Sequence, residues 1–386
     1  MNGTKDKVCK LRESLYGLKQ ASRQWNIELK SFLIENGFKQ CRRDYSLFLR
    51  TENGKTCIIL VYVDDLIITG DDEETIASMK SKLDSAFTIK DLGFLRYFLG
   101  IDIARGEGGT MINQRKYALD IVRDSGMEGC TPCTFPFPKG VKLSTETGEL
   151  LEDPESYRRL VGRLLYLNMS RPDLFFSVQQ LSQYLSCPRK PHMQAALHVV
   201  KYIKGTVDLG LFYPSNTDHT LSAYSDADWG SCIFSGRSLT GFCVFLGGAL
   251  VSWKTKKKKV VSKSSCEAEF RSMSQTTSEI AWIVGLFEDL GQDFPLPVTL
   301  FCDNKSAEYI AHNPALHDRT KHLKLDCYYI RDNIEDGTIT TCHVKSSLQL
   351  ADILTKSLPA HQHWFISSKL GLATLSQVQL EGGGGV

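Results

Sequence analysis

"LSAYSDADWG", residues 221–230, alternates apolar and polar side chains and carries two aspartates near its end. In extended backbone, successive side chains point to opposite faces, so Tyr224, Asp226 and Asp228 share one face of a strand. "TGFCVFLGGALVSWK" (240–254) continues as two strands around Gly247-Gly248, a hairpin signal. "SSCEAEFRSMSQTTSEIAWIVGLFEDLG" (264–291) has helical periodicity, with Phe270, Met273, Thr277, Ile280, Val284 and Phe287 on the buried side. "PVTLFCDN" (297–304) is a short apolar strand ending in Asp303, and "KSAEYIAHN" begins a helix. "TITTCHV" (338–344) is a strand, and "SLQLADILTKSL" (347–358) a helix. Three strands, helix, strand, helix, strand and helix predict a mixed sheet with helices packed on it.

The acidic residues fall at telling places in that order. Asp226 lies in the first strand, Asp303 at the end of a later one and Asp352 in the last helix. The long helix offers Glu267 and Glu269. Ser264-Ser265-Cys266-Glu267 fits a capping box, which gives Glu267 a local role at the helix start. Glu269 has no such role and lies beside the buried stripe, where a charge is costly without a partner. Four carboxylates from separate elements suit two hard divalent cations about 3.5–4 Å apart, which stabilise the attacking and leaving oxygens of a phosphodiester.

Working toward the N-terminus, "SYRRLVGRLLYLNMS" and "PHMQAALHVVKYIKG" read as helices with mixed apolar and basic faces. Arg158, Arg159, Arg163, Lys201 and Lys204 are candidate phosphate contacts on them, and a solvated helix face is the competing reading. "TPCTFPFPKGVKLSTETGELLEDP" carries four of the twelve prolines and predicts a linker over 131–154. Its Cys130–Cys133 pair has no second Cys or His pair beside it, which argues against zinc. Upstream, "CIILVYVDDLIITG" (57–70) places Asp64 and Asp65 between two apolar runs, as in a hairpin turn. Adjacent carboxylates raise each other's pKa unless something neutralises them, and a divalent cation would. "ASRQWNIELKSFLIENGF" puts Trp25, Leu29, Phe32 and Leu33 on one helical stripe with an Asn36-Gly37 stop. "ETIASMKSKLDSAF" is a second amphipathic helix through Ile76, Met79, Leu83 and Phe87, and "RYFLGIDIAR" and "GTMINQ" pair as strands.

Bulk properties bound the rest. The 386 residues are 42% hydrophobic, enough for two or three domains, and a net charge of +2 makes any nucleic-acid signal local. Twelve scattered cysteines and an N-terminus without an apolar core segment fit an intracellular chain, cytoplasmic with the nucleus as the alternative, and no apolar run approaches a membrane span.

Beyond these readings, "SLYGLKQASRQW", "LVYVDDLIITG", "YRRLVGRLLYL", "SDADWG", "SSCEAEF", "FCDNKSA", "RTKHLKLDCYYIRD" and "QLADILTKSLP" follow one another over residues 8–370. In this order they resemble the C-terminal part of the Pol polyprotein of copia-type LTR retrotransposons. The resemblance implies a mixed α/β and α+β chain. A reverse-transcriptase palm lacking its N-terminal part would span 1–130, followed by the linker. A helical thumb or connection region (155–217), a ribonuclease H-like mixed sheet with flanking helices (218–360) and a tail (361–386) would complete it. It implies Asp64 and Asp65 as the metal pair of the palm, and a further catalytic aspartate in an upstream strand. Asp6 and Glu13 lack that strand context, so the chain is expected not to polymerise alone. It also implies Asp226, Glu269, Asp303 and Asp352 as ligands of two Mg²⁺ or Mn²⁺ ions that cleave the RNA strand of an RNA–DNA hybrid. Asp228 is the second choice in its strand. Lys254, Lys256, Lys257, Lys258 and Lys259 of "KTKKKK" are candidate phosphate contacts, with a solvated loop the even alternative, and His343 is a candidate for proton transfer. Expected partners are the hybrid and other parts of Pol, with no membrane. The alternative is a relic that binds nucleic acid without catalysis. The integrase fold is related to ribonuclease H, but the contexts of Asp303 and Asp352 match the nuclease.

Overall fold

The computed structural model describes residues 18–138, 140–232, 234–313 and 323–378. The expectations for 8–17, for 314–322 within "RTKHLK" and its approach, for Asp6 and Glu13, and for 379–386 lie outside the described residues. The chain forms two compact units, Met1–Leu95 with Trp282–Asp293, and Arg96–Ala281 with Phe294–Val386.

In the first unit, helix α1 (Ala21–Glu35) precedes strands β1 (Lys39–Gln40), β2 (Leu47–Glu52), β3 (Lys55–Tyr62) and β4 (Asp65–Gly70), and α2 (Glu73–Phe87) follows. The strands form one antiparallel sheet in chain order. Leu29 and Leu33 of α1, and Met79 and Leu83 of α2, cover Phe48, Cys57, Ile59 and Val61. The apolar run leading to Asp64 is therefore buried on one side only. Cys57, Ile59 and Val61 point inward while Ile58 and Leu60 are half-buried and Tyr62 is exposed, the pattern of an antiparallel sheet with one face open. The turn also differs from the expectation. Tyr62 pairs with Asp65, so Val63 and Asp64 are its central residues and Asp65 opens β4. Val63 sits at φ +54°, which a β-branched residue seldom adopts, and its carbonyl accepts from the Trp25 indole.

The second unit begins with strands β5 (Tyr97–Phe98), β6 (Ile101–Gly106) and β7 (Gly109–Asn113), then helices α3 (Arg115–Asp124), α4 (Pro154–Leu167), α5 (Phe175–Ser182) and α6 (Lys190–Lys204), and strand β8 (Leu209–Pro214). The first compact unit stops at Leu95, short of the expected 130, and β5–β7 join β8 in one sheet. The expected linker is packed rather than free. Phe137 and Leu143 are buried in one core with Tyr157, Val161 and Val178, and Asp153 caps α4 by accepting from the Glu155 and Ser156 backbone N–H groups at 3.0 and 3.3 Å.

Strands β9 (Leu221–Asp228), β10 (Leu239–Leu246) and β11 (Ala249–Lys257) are followed by α7 (Ser265–Asp289), β12 (Val298–Cys302), α8 (Lys305–His312), α9 (Lys324–Glu335) and β13 (Ile339–His343). Helix α9 was not anticipated as a separate element. The sheet order is β11-β10-β9-β12-β13, with the first three antiparallel and β9, β12 and β13 parallel. Gly247 and Gly248, at φ +55° and +79°, make the two-residue turn between β10 and β11. A short helix α10 (Asp352–Thr355) lies on this sheet, and α11 (Ala360–Lys369), strand β14 (Leu372–Thr374) and α12 (Leu375–Val378) close the described chain. The expected tail is thus folded through residue 378. Ile366 and Leu370 are buried in the core beneath β10, and β14 pairs with β8. His363 of α11 completes a buried network. Arg171 donates to both oxygens of Asp173 at 2.9 and 2.7 Å, and Tyr202 donates to Asp173 at 2.8 Å while lying 3.0 Å from His363 Nε2.

Candidate active site

Asp226 lies in the central strand β9 and is fully buried at 0% exposure. Its position is set from three sides. Gly241 of β10 is its register partner, Ser272 of α7 donates to its carbonyl at 2.9 Å, and Gln349 donates to the neighbouring Ser225 carbonyl at 3.0 Å. Gly241 has a specific reason to lack a side chain. A Cβ there would meet Leu354 Cβ at 2.8 Å and Thr355 Cγ2 at 2.9 Å, so glycine lets α10 approach the sheet. That approach brings Asp352, the first residue of α10, to the end of β9. The Thr355 hydroxyl donates to Asp226, and the Thr255 hydroxyl of β11 donates to the Leu354 carbonyl at 2.9 Å.

Asp303 follows β12 directly, and Asn304 caps α8 by accepting from the Ala307 N–H at 3.0 Å, which fixes the chain just past it. One carboxylate oxygen each from Asp226, Asp303 and Asp352 falls within 4.8 Å of the others. Glu269, one turn into α7, meets Asp303 and Cys302 within the same limit. The four carboxylates selected from sequence therefore converge at one end of the sheet. Glu267 does not join them. It accepts from the Lys263 N–H at 2.8 Å, pairs with Arg271 at 2.9 Å, and its own N–H donates to Ser264 Oγ at 3.1 Å. This is the capping role, reaching one residue further back than the usual box.

The electrostatics are those of crowded buried acids. Burial, then the Asp226 and Asp303 charges, push the Glu269 carboxyl up to about 9. Its Oε2 finds no hydrogen-bond partner among the described residues. Burial and then the Asp226 charge raise Asp352 to about 7, even though Lys356 opposes this from 2.7 Å. One half-exposed ammonium is outweighed there, while the two acids hold Lys356 firmly protonated. Asp228 is also raised to about 7, chiefly by burial, but it is engaged elsewhere. It accepts from the Leu239 N–H and the Ser231 hydroxyl, which makes it a brace for the β9–β10 loop.

The Asp226, Asp303 and Asp352 carboxylates with one orphaned buried Glu269 oxygen fit a hard divalent cation, while burial pushes the adjacent Cys302 thiol up and keeps it protonated. Sequence reasoning missed Thr355, Gln349, Gly241 and Lys356. Of these only Lys356 left a signal, since it lies four residues after Asp352, on the same helical face.

The expected phosphate contacts divide. Lys256 and Lys259 are exposed. Lys257 instead donates to Gln183 at 2.6 Å and lies 2.8 Å from Cys232 Sγ, and Lys258 donates to the Arg271 carbonyl at 3.3 Å and Gln275 at 3.2 Å. Arg158 donates to the Leu185 carbonyl at 2.8 Å, Arg163 to Asp124 at 2.6 Å, and Lys204 to the Cys130 carbonyl at 2.5 Å. These three tie helices and loops together, while Lys201 is half-buried on α6. His343 pairs in register with Cys302, one residue from Asp303. Asp64 and Asp65 are exposed at their hairpin, and no third acidic, His or Cys ligand joins them among the described residues.

The second unit thus carries a mixed five-stranded sheet with four acids gathered at one end. The family described as reverse transcriptase (RNA-dependent DNA polymerase) matches residues 1–139. The chain is 40% identical over 365 residues to the retrovirus-related Pol polyprotein from transposon RE1 of Arabidopsis thaliana, covering 95% of this chain and 25% of that protein. It is 32% identical over 278 residues to a putative transposon Ty5-1 protein of Saccharomyces cerevisiae, covering 71% of this chain and 90% of that protein. The chain belongs to the Pol polyproteins of copia-type retrotransposons, and it spans about a quarter of the length of the long plant relatives it matches. RNase H1 of Halobacterium salinarum superposes with a TM-score of 0.27 at 15% identity, covering 35% of this chain and 94% of that one. No helix among the described residues is long and apolar enough to cross a membrane.

Proposed function

We propose that the domain spanning residues 218–360 hydrolyses the RNA strand of RNA–DNA hybrids, leaving 3′-hydroxyl and 5′-phosphate ends. The observation that carries this reading is the convergence of Asp226, Asp303 and Asp352 within 4.8 Å, with Glu269 beside them. Asp226, Glu269, Asp303 and Asp352 would hold two Mg²⁺ or Mn²⁺ ions. Bound there, divalent ions polarise the attacking water and neutralise charge on the phosphodiester. The chain's own residues provide the rigid frame. Thr355, Ser272 and Gln349 fix Asp226 and the strand around it, so the deepest ligand does not move as substrate arrives. Asp303 is only half-buried, which leaves it the most accessible of the four carboxylates to an approaching RNA backbone. Glu269 and Asp352 must give up protons when ions bind, because burial first and then the neighbouring acid charges favour their protonated forms, and cations would offset both.

Recognition would rest on hybrid shape and the 2′-hydroxyl rather than on base sequence. Lys256 and Lys259 remain available for phosphates. Asp64 and Asp65 would serve polymerase chemistry only with ligand oxygens from outside the described residues. The test is incubation with end-labelled RNA in three forms: paired with DNA, paired with RNA, and single-stranded. Cleavage confined to the DNA-paired form supports the proposal. Equal cleavage of all three, or none in the presence of Mg²⁺ or Mn²⁺, overturns it.

A further inference from the structure

Resting on the reading that the carboxylates bind divalent ions, we propose that Lys356 is an internal counter-cation that fills the site until those ions displace it. Its ammonium lies 3.0 Å from Asp226 Oδ1 and 2.7 Å from Asp352 Oδ1, and so bridges two of the three clustered aspartates. An ion taking the same oxygens at roughly 2.0–2.6 Å would collide with that ammonium and repel it. Ion and ammonium are therefore alternative occupants of one place.

The surroundings allow the exchange. The backbone of Lys356 is pinned, since its N–H donates to the Asp352 carbonyl at 2.9 Å and the preceding Thr355 donates to Asp226. Only the side chain has to move, and it is 38% exposed on a long flexible stem. Lys356 also lines a cavity of about 460 Å³, shared with Ser357, Asp228 and Arg237, which gives the displaced ammonium space beside the site. The arrangement solves a folding problem as well. Asp226 is fully buried, and among the described residues the Thr355 hydroxyl and the Lys356 ammonium donate to its carboxylate and offset that burial.

Two consequences follow from competition. Removing the ammonium should tighten ion binding, by at least about fivefold if the exclusion has the usual strength of coupling between two ligands. Ion binding should in turn free the lysine. The experiment uses the full chain without nucleic acid. Binding of Mn²⁺ is measured by calorimetry in the wild type, Lys356→Gln and Asp303→Asn. Acetylation of Lys356 in the wild type is followed by mass spectrometry with and without saturating Mg²⁺, with exposed Lys259 as internal reference.

Fivefold or tighter binding in Lys356→Gln, with Lys356 acetylated several-fold faster when Mg²⁺ is present, supports the proposal. If Lys356→Gln fails to fold, the wild-type acetylation ratio decides alone. Metal binding that Asp303→Asn abolishes but Lys356→Gln leaves unchanged, or Lys356 acetylation unaffected by saturating Mg²⁺, overturns the proposal while leaving the metal site intact. Absence of binding in the wild type overturns both the metal site and the proposal.

Discussion

Replacing Glu269 by Gln in the metal-free protein should make it more stable at high pH, although the residue is one of the four candidate ligands. The carboxyl is raised from 4.5 to about 9 in the folded chain, by burial first and then by the Asp226 and Asp303 charges. Between those values the folded chain keeps the proton that the unfolded chain has released. The folded state then binds more protons, so stability falls as pH rises, by about 1.4 kcal/mol per pH unit for one such group. Asp352 and Asp228, raised to about 7, add to this slope at lower pH and have largely finished titrating above 7.5. The interval from pH 7.5 to 8.5 therefore isolates Glu269. Urea unfolding in EDTA across it should show the wild type losing roughly 1 kcal/mol more than Glu269→Gln. Saturating Mg²⁺ should flatten the wild-type slope, because an ion supplies the compensation that the proton otherwise provides. Identical slopes in wild type and variant without metal would refute the reasoning.

Further perturbations separate frame from chemistry. Arg171→Met should cost about 3–5 kcal/mol in urea unfolding, since it strands the buried Asp173 carboxylate without its bidentate partner. Gly241→Ala should cost about 1–3 kcal/mol by pushing α10 off the sheet, and should slow hybrid cleavage through the displaced Asp352. Lys256→Gln with Lys259→Gln should lower the slope of log affinity for hybrid against log salt by roughly one per lysine that meets a phosphate. Lys257→Gln with Lys258→Gln should instead lower stability and leave that slope alone, because both side chains are held by protein groups. The 386-residue chain should not extend a primer on an RNA template, with or without Asp64→Asn and Asp65→Asn; extension lost in the double variant would contradict this.

The legible parts of this chain were those whose signal is local. Period-two alternation at 221–228, the Gly247-Gly248 turn and the apolar stripe of α7 each announce an element, and the structure has all three. The choice of Glu269 over Glu267 came from capping chemistry that is visible within four residues, and the two side chains do occupy different settings. What the sequence hid was non-local. Strands β5–β7 form a local hairpin signal, but their sheet is completed by β8 and β14 from about a hundred and more than two hundred residues away, which no local pattern announces. A proline-rich stretch reads as linker whether or not it is packed, and only the burial of Phe137 and Leu143 in the same core as Tyr157 and Val178 shows that they are core. Helix α11 reads as tail in the sequence because its burial depends on β10, and on the Asp173 network through His363. Basic residues misled for a related reason. A run of four lysines looks uniformly exposed, yet strand geometry and neighbouring carbonyls draw Lys257 and Lys258 inward.

The most direct test of the account is metal-dependent cleavage of an RNA–DNA hybrid by the whole chain, compared with Asp303→Asn and Glu269→Gln, each first shown to be folded. Because a neutral amide keeps the shape of the ligand while weakening its hold on a divalent ion, both variants should lose most of the cleavage seen with Mg²⁺ or Mn²⁺. Products should carry 3′-hydroxyl and 5′-phosphate ends, and EDTA should abolish the reaction. Cleavage that persists unchanged in both folded variants would contradict the assignment of this carboxylate cluster as the active site.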